Sequence, residues 1–530
     1  MINDLQQLDT DLKSVSTQVC IIGGGTAGLF LAHRLVSRGI KVVVLETGGN
    51  DPMAPDTAGH EPKQTGIRYR GAYKGRSFGL GGTSVLWGGQ MIPLTSGDVS
   101  ARPAVGYDAW PISFEEISSH FQTVKTTLGL PVVDPDEENR IATKKYKSLK
   151  AFSGDYSLRL SEWLPFATRN MAKTFNFSIQ SNVFFDVWLN ATVTSFKLEG
   201  KNGTNSITTV CAKTKNGKQI DVTASVVVLC AGALESTRIL LELDDATSGS
   251  ITNSGAPLGK YFADHLSVTC GKFHCKNWKA YNSEFAPIFV GPIMRTPRLE
   301  LTASAQGRFS VTSAFAHFTF LTDGSTGFDI VRNFLRRRQG ETMGLGLSPS
   351  MAWRVVKDIS AMTYYRYVNR RLWIPRDAKL LLQVDIEQMP NPNSRLSLDH
   401  SRDGHGRRQL VIDWRILKED AQVIEKTARH LISAWSESPL SRMAELECTL
   451  PSDFSSFETL YDVYHPTGTI RMGASRSSSV VDENLQLWSY ANAYVSSTAV
   501  FPSAGSANPG LTHLALTSRL ADQIIAKHFA

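Results

Sequence analysis

A chain of 530 residues with 42% hydrophobic and 20% charged residues is long enough to bury several cores, and its net charge of +7 is modest for that length. The composition excludes a disordered chain. The longest nearly apolar run, Val226–Leu234, is far shorter than a membrane span needs, and the polar Met1–Ser16 has no apolar signal core.

No nucleic-acid-binding motif accompanies the positive charge, so no nucleic-acid partner is expected. Cys270 and Cys275 do not fit a C-x-x-C metal or redox motif, while Cys20 and Cys230 lie in apolar runs. All six cysteines therefore read as reduced, with no metal site implied and the cytoplasm as the default location.

In chain order, the first strong signal is Gln18–Gly49. Val19–Ile22 is an apolar run of strand length, and Gly23-Gly24-Gly25-Thr26-Ala27-Gly28 fits G-x-G-x-x-G. Leu29, Leu31, Ala32, Leu35 and Val36 follow at helical spacing, with Gly39 placed to end the helix. A second apolar run, Val42–Leu45, stops at Glu46. Each part has a job in dinucleotide binding. Gly23 permits a tight turn, Gly25 lets the backbone approach a pyrophosphate, and Gly28 lets the helix lie close on the strand. The N–H groups at the helix start, around Thr26 and Ala27, suit phosphates, and Glu46 suits ribose hydroxyls. The motif leaves FAD and NAD both open.

Residues 50–75 read as a long connection. Gly75–Gly89 is too glycine-dense for a regular helix, but Leu80, Val85, Leu86 and Trp87 are interleaved with its glycines. A loop pressed against a flat ligand fits better than a linker. Ser113 with Glu116 forms a capping box that starts a helix running to about Thr127. Val183–Leu189 and Ala191–Phe196 read as strands, with Asn202-Gly203 and Asn216-Gly217 as hairpin turns. Val226–Cys230 is a buried strand, followed by a helix over Leu234–Leu243. Residues 266–455 mix strands and helices without a repeat. The last 75 residues return to glycine and proline punctuation and close on an amphipathic helix, Leu511–Ala526.

Together these segments resemble the glucose–methanol–choline (GMC) family of FAD-dependent oxidoreductases. Gly23–Gly28 with Glu46 is similar to its FAD fingerprint, and Gly81-Gly82-Thr83-Ser84 to its second glycine segment along the pyrophosphate and flavin. Ala191-Thr192-Val193 resembles the strand that meets the adenine, and Cys230–Ser236, with Ala231 and Gly232, the turn beside it. Gly259–His265 resembles the segment that closes the flavin domain. Tyr464–Gly473, Tyr494–Pro502 and Gly505–Thr512 resemble the family's C-terminal motifs. Glu387–Arg395 and Trp87 lean toward the branch of pyranose oxidases and bacterial sugar-acid dehydrogenases.

The resemblance implies an α/β fold: a Rossmann-like FAD-binding domain with a second, α+β substrate domain carrying a mixed or antiparallel sheet. The expected FAD domain is discontinuous, from 1–100, 180–265 and 456–530. A helical or irregular connection would occupy 101–179, and the substrate domain 266–455. It also implies oxidation of a CH–OH group of a sugar, glycoside or other secondary alcohol by hydride transfer to flavin N5. His465 would be the general base, since a neutral imidazole suits that task. Asn508 would orient the substrate oxygen. Asn508 before Pro509 also reads as an N-cap, aiming the positive end of the closing helix at the flavin. Thr498, Pro509 and Thr512 would complete the cofactor contacts.

Two positions depart from the pattern. Leu86 stands where some relatives attach FAD through a His, which implies non-covalent FAD. Ser496-Ser497 replaces a usual glycine step before Thr498. His265 reads as a structural residue at the domain seam, and His513, five residues beyond Asn508, either as lining the pocket or, more in keeping with its helix, as packed inside it. The alternative function is a lyase resembling the hydroxynitrile lyases, which retains FAD structurally. The electron acceptor, whether O2, a quinone or another carrier, is left open.

One stretch stands apart. Ten Lys or Arg residues lie between Arg332 and Arg376 against Glu341 and Asp358, interleaved with Trp353, Tyr364, Tyr365, Tyr367 and Trp373. It reads either as a solvated helix pair over the substrate domain or as a peripheral membrane contact.

Overall fold

The computed structural model describes every residue except 153, 202–203, 325, 340–351 and 452–458. Val42–Leu45 is apolar at all four positions and buried at all four, as expected of a strand covered on both faces. It lies in a sheet whose order is Ile2–Asp4, Phe185–Leu189, Val42–Leu45, Leu12–Ile22, Gln219–Leu229, Thr204–Lys213, Thr192–Lys201. Pairing is parallel as far as Gln219–Leu229, which also takes Ala493–Val495 in parallel. Thr192–Lys201 and Thr204–Lys213 add an antiparallel hairpin. Helices Thr26–Val36 and Gly510–His528 pack together over this sheet, so the two ends of the chain share one core.

The second sheet is antiparallel throughout its described pairings. Its order is Ala444–Cys448, His265–Cys275, Lys379–Glu387, Ala314–Leu321, Ile293–Leu301, Tyr156–Trp163, Gln90–Met91. Helix Lys418–Glu437 covers one side, burying Val423, Ile424, Leu431 and Trp435. The expected pair of architectures, a parallel nucleotide-binding sheet and an antiparallel second sheet, is what the chain forms.

Two local expectations change. Tyr156–Trp163, inside the stretch read as a connection, is an interior strand of the second sheet; its alternation holds only from Tyr156 to Ser161 and breaks at Glu162-Trp163, which leaves a short signal. The helix at Ser113 breaks into Phe114–Ser118 and Phe121–Thr127. Only half its capping box forms, because Glu116 pairs with Arg519 instead of returning to the cap. The hairpin turn at Asn216-Gly217 is present, with Gly217 at φ 88°, whereas Asn202-Gly203 and Glu341 lie outside the described residues.

Candidate active site

A cavity of about 580 Å³ opens at the carboxyl ends of the parallel strands and runs to the face of the second sheet. At the nucleotide end, Gly23 adopts φ 108°, and a Cβ there would sit 2.6 Å from the Cys230 carbonyl oxygen. A Cβ on Gly28 would sit 1.9 Å from the Gly23 carbonyl oxygen, so the protein's own packing requires both glycines. Gly25 is different. Its Cβ would meet nothing nearer than Gly82 Cα at 3.9 Å, so the space it leaves faces the cavity. Gly25 is also the N-cap of Thr26–Val36 and offers that helix no side-chain cap. These features fit a pyrophosphate.

Glu46 ties the surrounding loops together. Its carboxylate accepts backbone N–H bonds from Gly24 (2.8 Å), Gly48 (2.9 Å) and Gly79 (2.9 Å). Burial pushes its carboxyl up, and these three donors oppose that shift. It lines the cavity and keeps acceptor capacity for a ribose hydroxyl.

Of the residues expected around the cofactor, Gly23, Gly25, Thr26, Ala27, Glu46, Gly82, Thr83, Val193, Ala231, Gly232, Thr498 and Pro509 line this one cavity. Three do not. Gly28 serves helix–strand packing. The Ser84 hydroxyl bonds the Gly81 carbonyl and the Met171 N–H, and the Thr512 hydroxyl accepts from Leu94 N–H at 3.2 Å. Leu86 lines the cavity as well.

At the far end stand His465 and Asn508. The His465 backbone N–H donates to Asp264 Oδ2 at 2.7 Å, which also accepts the Tyr69 hydroxyl at 2.7 Å. Its ring Nδ1 lies 3.0 Å from His265 Nδ1. Burial, reinforced by His265 and Arg298, holds the His465 pKa well below the ordinary value, so the ring is neutral near pH 7.

Asn508 is not a helix cap. The helix begins at Gly510 with Pro509 as its N-cap, and the Asn508 Oδ1 instead accepts from Arg298 Nη2 at 2.9 Å. Arginine has only donors, so this bond fixes the amide orientation and leaves Nδ2–H₂ for another acceptor. His513 lines the cavity rather than packing away from it, and burial pulls its pKa to about 4.

Sequence reading missed the wall contributed by the second sheet. Arg298, His317 and Gln383 stand side by side on three adjacent strands, with Phe315 opposite Asp385 one step along. All five line the cavity. Arg298 is 2% exposed, stacks 3.6 Å over the Phe315 ring, and is pulled down to about 10 by burial against the pull of Glu300 and Asp385. No motif marks these positions. Only strand pairing brings them together.

A family model for GMC oxidoreductases matches residues 390–517, and one for an FAD-binding domain matches residues 16–63. No curated protein matches the sequence. Among solved structures, pyridoxine 4-oxidase from Mesorbium loti is 17% identical over 97% of this chain and 100% of its own, with a TM-score of 0.61. A formate oxidase is 15% identical over 97% of this chain and 99% of its own, with a TM-score of 0.59. An Aspergillus oryzae formate oxidase variant is 14% identical over the same shares, with a TM-score of 0.55. At these identities the structural matches speak for the fold.

Proposed function

Because the chain is a GMC oxidoreductase that uses FAD, we propose that it oxidises the CH–OH group of a sugar, glycoside or other secondary alcohol. The observation that carries this reading is the junction of a neutral His465 and an oriented Asn508 amide in the cavity that Gly25 and Glu46 open at its other end. The nucleotide-end residues and the loop around Gly82-Thr83 would hold FAD non-covalently, and the bound flavin would supply the hydride acceptor. His465 takes the hydroxyl proton at Nε2, which has no protein partner among the described residues. The Asn508 Nδ2–H₂ donates to the oxygen as charge develops on it, and Arg298 adds positive charge from behind the amide. Gln383, Asp385 and His317 offer polar groups for further hydroxyls, which supports a polyol-like substrate.

The test is anaerobic mixing with a panel of alcohols while following flavin absorbance, then repeating with O2 and quinones as acceptors. Bleaching by an alcohol supports the reading. A flavin untouched by the whole panel, in a protein that cleaves cyanohydrins, would support the lyase alternative.

For the basic stretch we propose a peripheral membrane contact. Helices Gly327–Gln339 and Ala352–Tyr364 pack on each other, and Phe334, Trp353, Val356, Ile359, Tyr364, Tyr367 and Val368 are exposed along them and the turn that follows. Trp353 is 79% exposed and Tyr367 73%, with Lys357 and Arg370 exposed nearby. Aromatic and basic side chains together suit an anionic lipid surface. Among the described residues, no helix is long and apolar enough to cross a membrane. Co-sedimentation with anionic but not neutral vesicles, lost in a Trp353→Ser/Tyr367→Ser protein, is the expected result. Equal recovery in the supernatant with both vesicle types would end the idea.

A further inference from the structure

His265, which the sequence marks only as a structural residue at the domain seam, touches the proposed base directly. Its Nε2 lies 2.7 Å from the Gly505 carbonyl oxygen, and its Nδ1 lies 3.0 Å from His465 Nδ1. The rings meet edge to face at 85°. His265 is 2% exposed.

A carbonyl oxygen can only accept, so His265 Nε2 must carry a hydrogen. Burial lowers the His265 pKa and keeps the ring neutral, so its Nδ1 is a bare acceptor. The 3.0 Å contact between two Nδ1 atoms then needs exactly one hydrogen, and only His465 can bring it. His465 therefore carries its hydrogen on Nδ1 and its lone pair on Nε2. We propose that His265 is a positioning residue that sets the tautomer of His465, reading it from the Gly505 carbonyl. This rests on His465 being the base and goes beyond that reading, since it names what makes the ring a base at Nε2 rather than Nδ1.

The carbonyl that starts the relay is itself fixed. The Gly505 N–H donates to Glu387 Oε1 at 2.8 Å, and Arg102 grips both Glu387 oxygens. Gly505 adopts φ 58°, and a Cβ there would fall 2.5 Å from Leu94 Cδ2 and 2.8 Å from Asp98 Cγ. The peptide therefore has little room to turn its oxygen away. When His465 takes a proton at Nε2 it becomes an imidazolium, with both ring nitrogens protonated. Its Nδ1–H still donates to His265, now as a charge-assisted bond, and no proton need move along the relay.

The test is a two-bond ¹H–¹⁵N correlation spectrum of the ¹⁵N-histidine-labelled holoenzyme above pH 7, with His465 identified by the signals missing from His465→Gln. The expected spectrum gives His465 a protonated-type Nδ1 and a bare-type Nε2. In His265→Leu the His465 signals should move toward a mixture of tautomers, and flavin reduction should slow about 10²-fold, the scale of misplacing a general base. His265→Asn, whose side-chain oxygen can accept from His465 Nδ1, should recover most of both. A protonated-type Nε2 in the wild-type spectrum overturns the proposal, even if the Leu variant does not fold. So does a His265→Leu protein with unchanged His465 shifts and rate. If instead His465→Gln reduces flavin as fast as wild type, the base reading fails while the spectrum still decides the tautomer.

Discussion

Arg298 and Asn508 meet at 2.9 Å, a buried guanidinium of the second sheet donating to the amide oxygen just before the C-terminal helix. The bond joins the two architectures at the point where the proposed chemistry occurs. It also gives the amide one orientation in place of two, because a guanidinium cannot accept.

Asn508→Ala removes a donor from the developing oxyanion and should slow flavin reduction by about 10²–10³-fold. Arg298→Met leaves Asn508 in place but unoriented, so its loss should be smaller. Stopped-flow reduction of both variants by one active alcohol checks the ranking. Equal losses would mean that Arg298 acts on the substrate directly.

The pH profile of kcat/KM reads the base in the free enzyme. Burial, His265 and Arg298 all disfavour the His465 cation, so the acid limb should lie below the ordinary histidine value of 6.5. Arg298→Met removes one positive neighbour, which favours the cation, so the limb should move to higher pH. A limb that moves to lower pH would contradict this electrostatic account.

Gly25→Ala and Gly28→Ala separate cofactor space from protein packing. The Gly25 methyl enters open space, so the protein should fold but bind FAD more weakly, on the order of tenfold in Kd. The Gly28 methyl would collide with the Gly23 carbonyl, so that variant should be recovered poorly or not at all. Soluble yield and FAD titration check both.

Acid should destabilise the folded enzyme through its buried histidines. His513 titrates near 4 in the fold, and burial also lowers His265, His317 and His465. Above about pH 6.5 these rings are neutral folded and unfolded and add no pH dependence. Below it the unfolded chain binds protons first, so these four rings lower stability from about pH 6.5 to pH 4, opposed by Asp420, which burial raises to about 6. Thermal unfolding should show Tm dropping by at least a few degrees across that window. A flat Tm would contradict it.

The nucleotide half of the fold was legible because its signals are local. Val19–Ile22, Gly23–Gly28, the helix and Glu46 lie within one short stretch, and each residue does its job near its own position. His465 and Asn508 stand in motifs visible in the sequence, and both line the cavity. Asn508 was misread as a cap because sequence shows the helix that follows it and not Arg298, which arrives from another sheet. The same reason hid His317, Gln383 and Asp385. His317 stands on one strand and Gln383 and Asp385 on the next, and cross-strand register, which no local pattern carries, makes them neighbours. Tyr156–Trp163 leaves only a short signal, because its alternation ends at Glu162, a buried acid whose partners Lys125 and Arg295 come from elsewhere in the chain.

The central claim is that His465 removes the alcohol proton as the hydride leaves. The most direct measurement is anaerobic stopped-flow reduction of the bound flavin by an active alcohol, comparing wild type with His465→Gln at equal flavin content above pH 7. The account expects reduction in His465→Gln to be slower by about 10²–10⁴-fold, with FAD still bound. Reduction at the wild-type rate would contradict it.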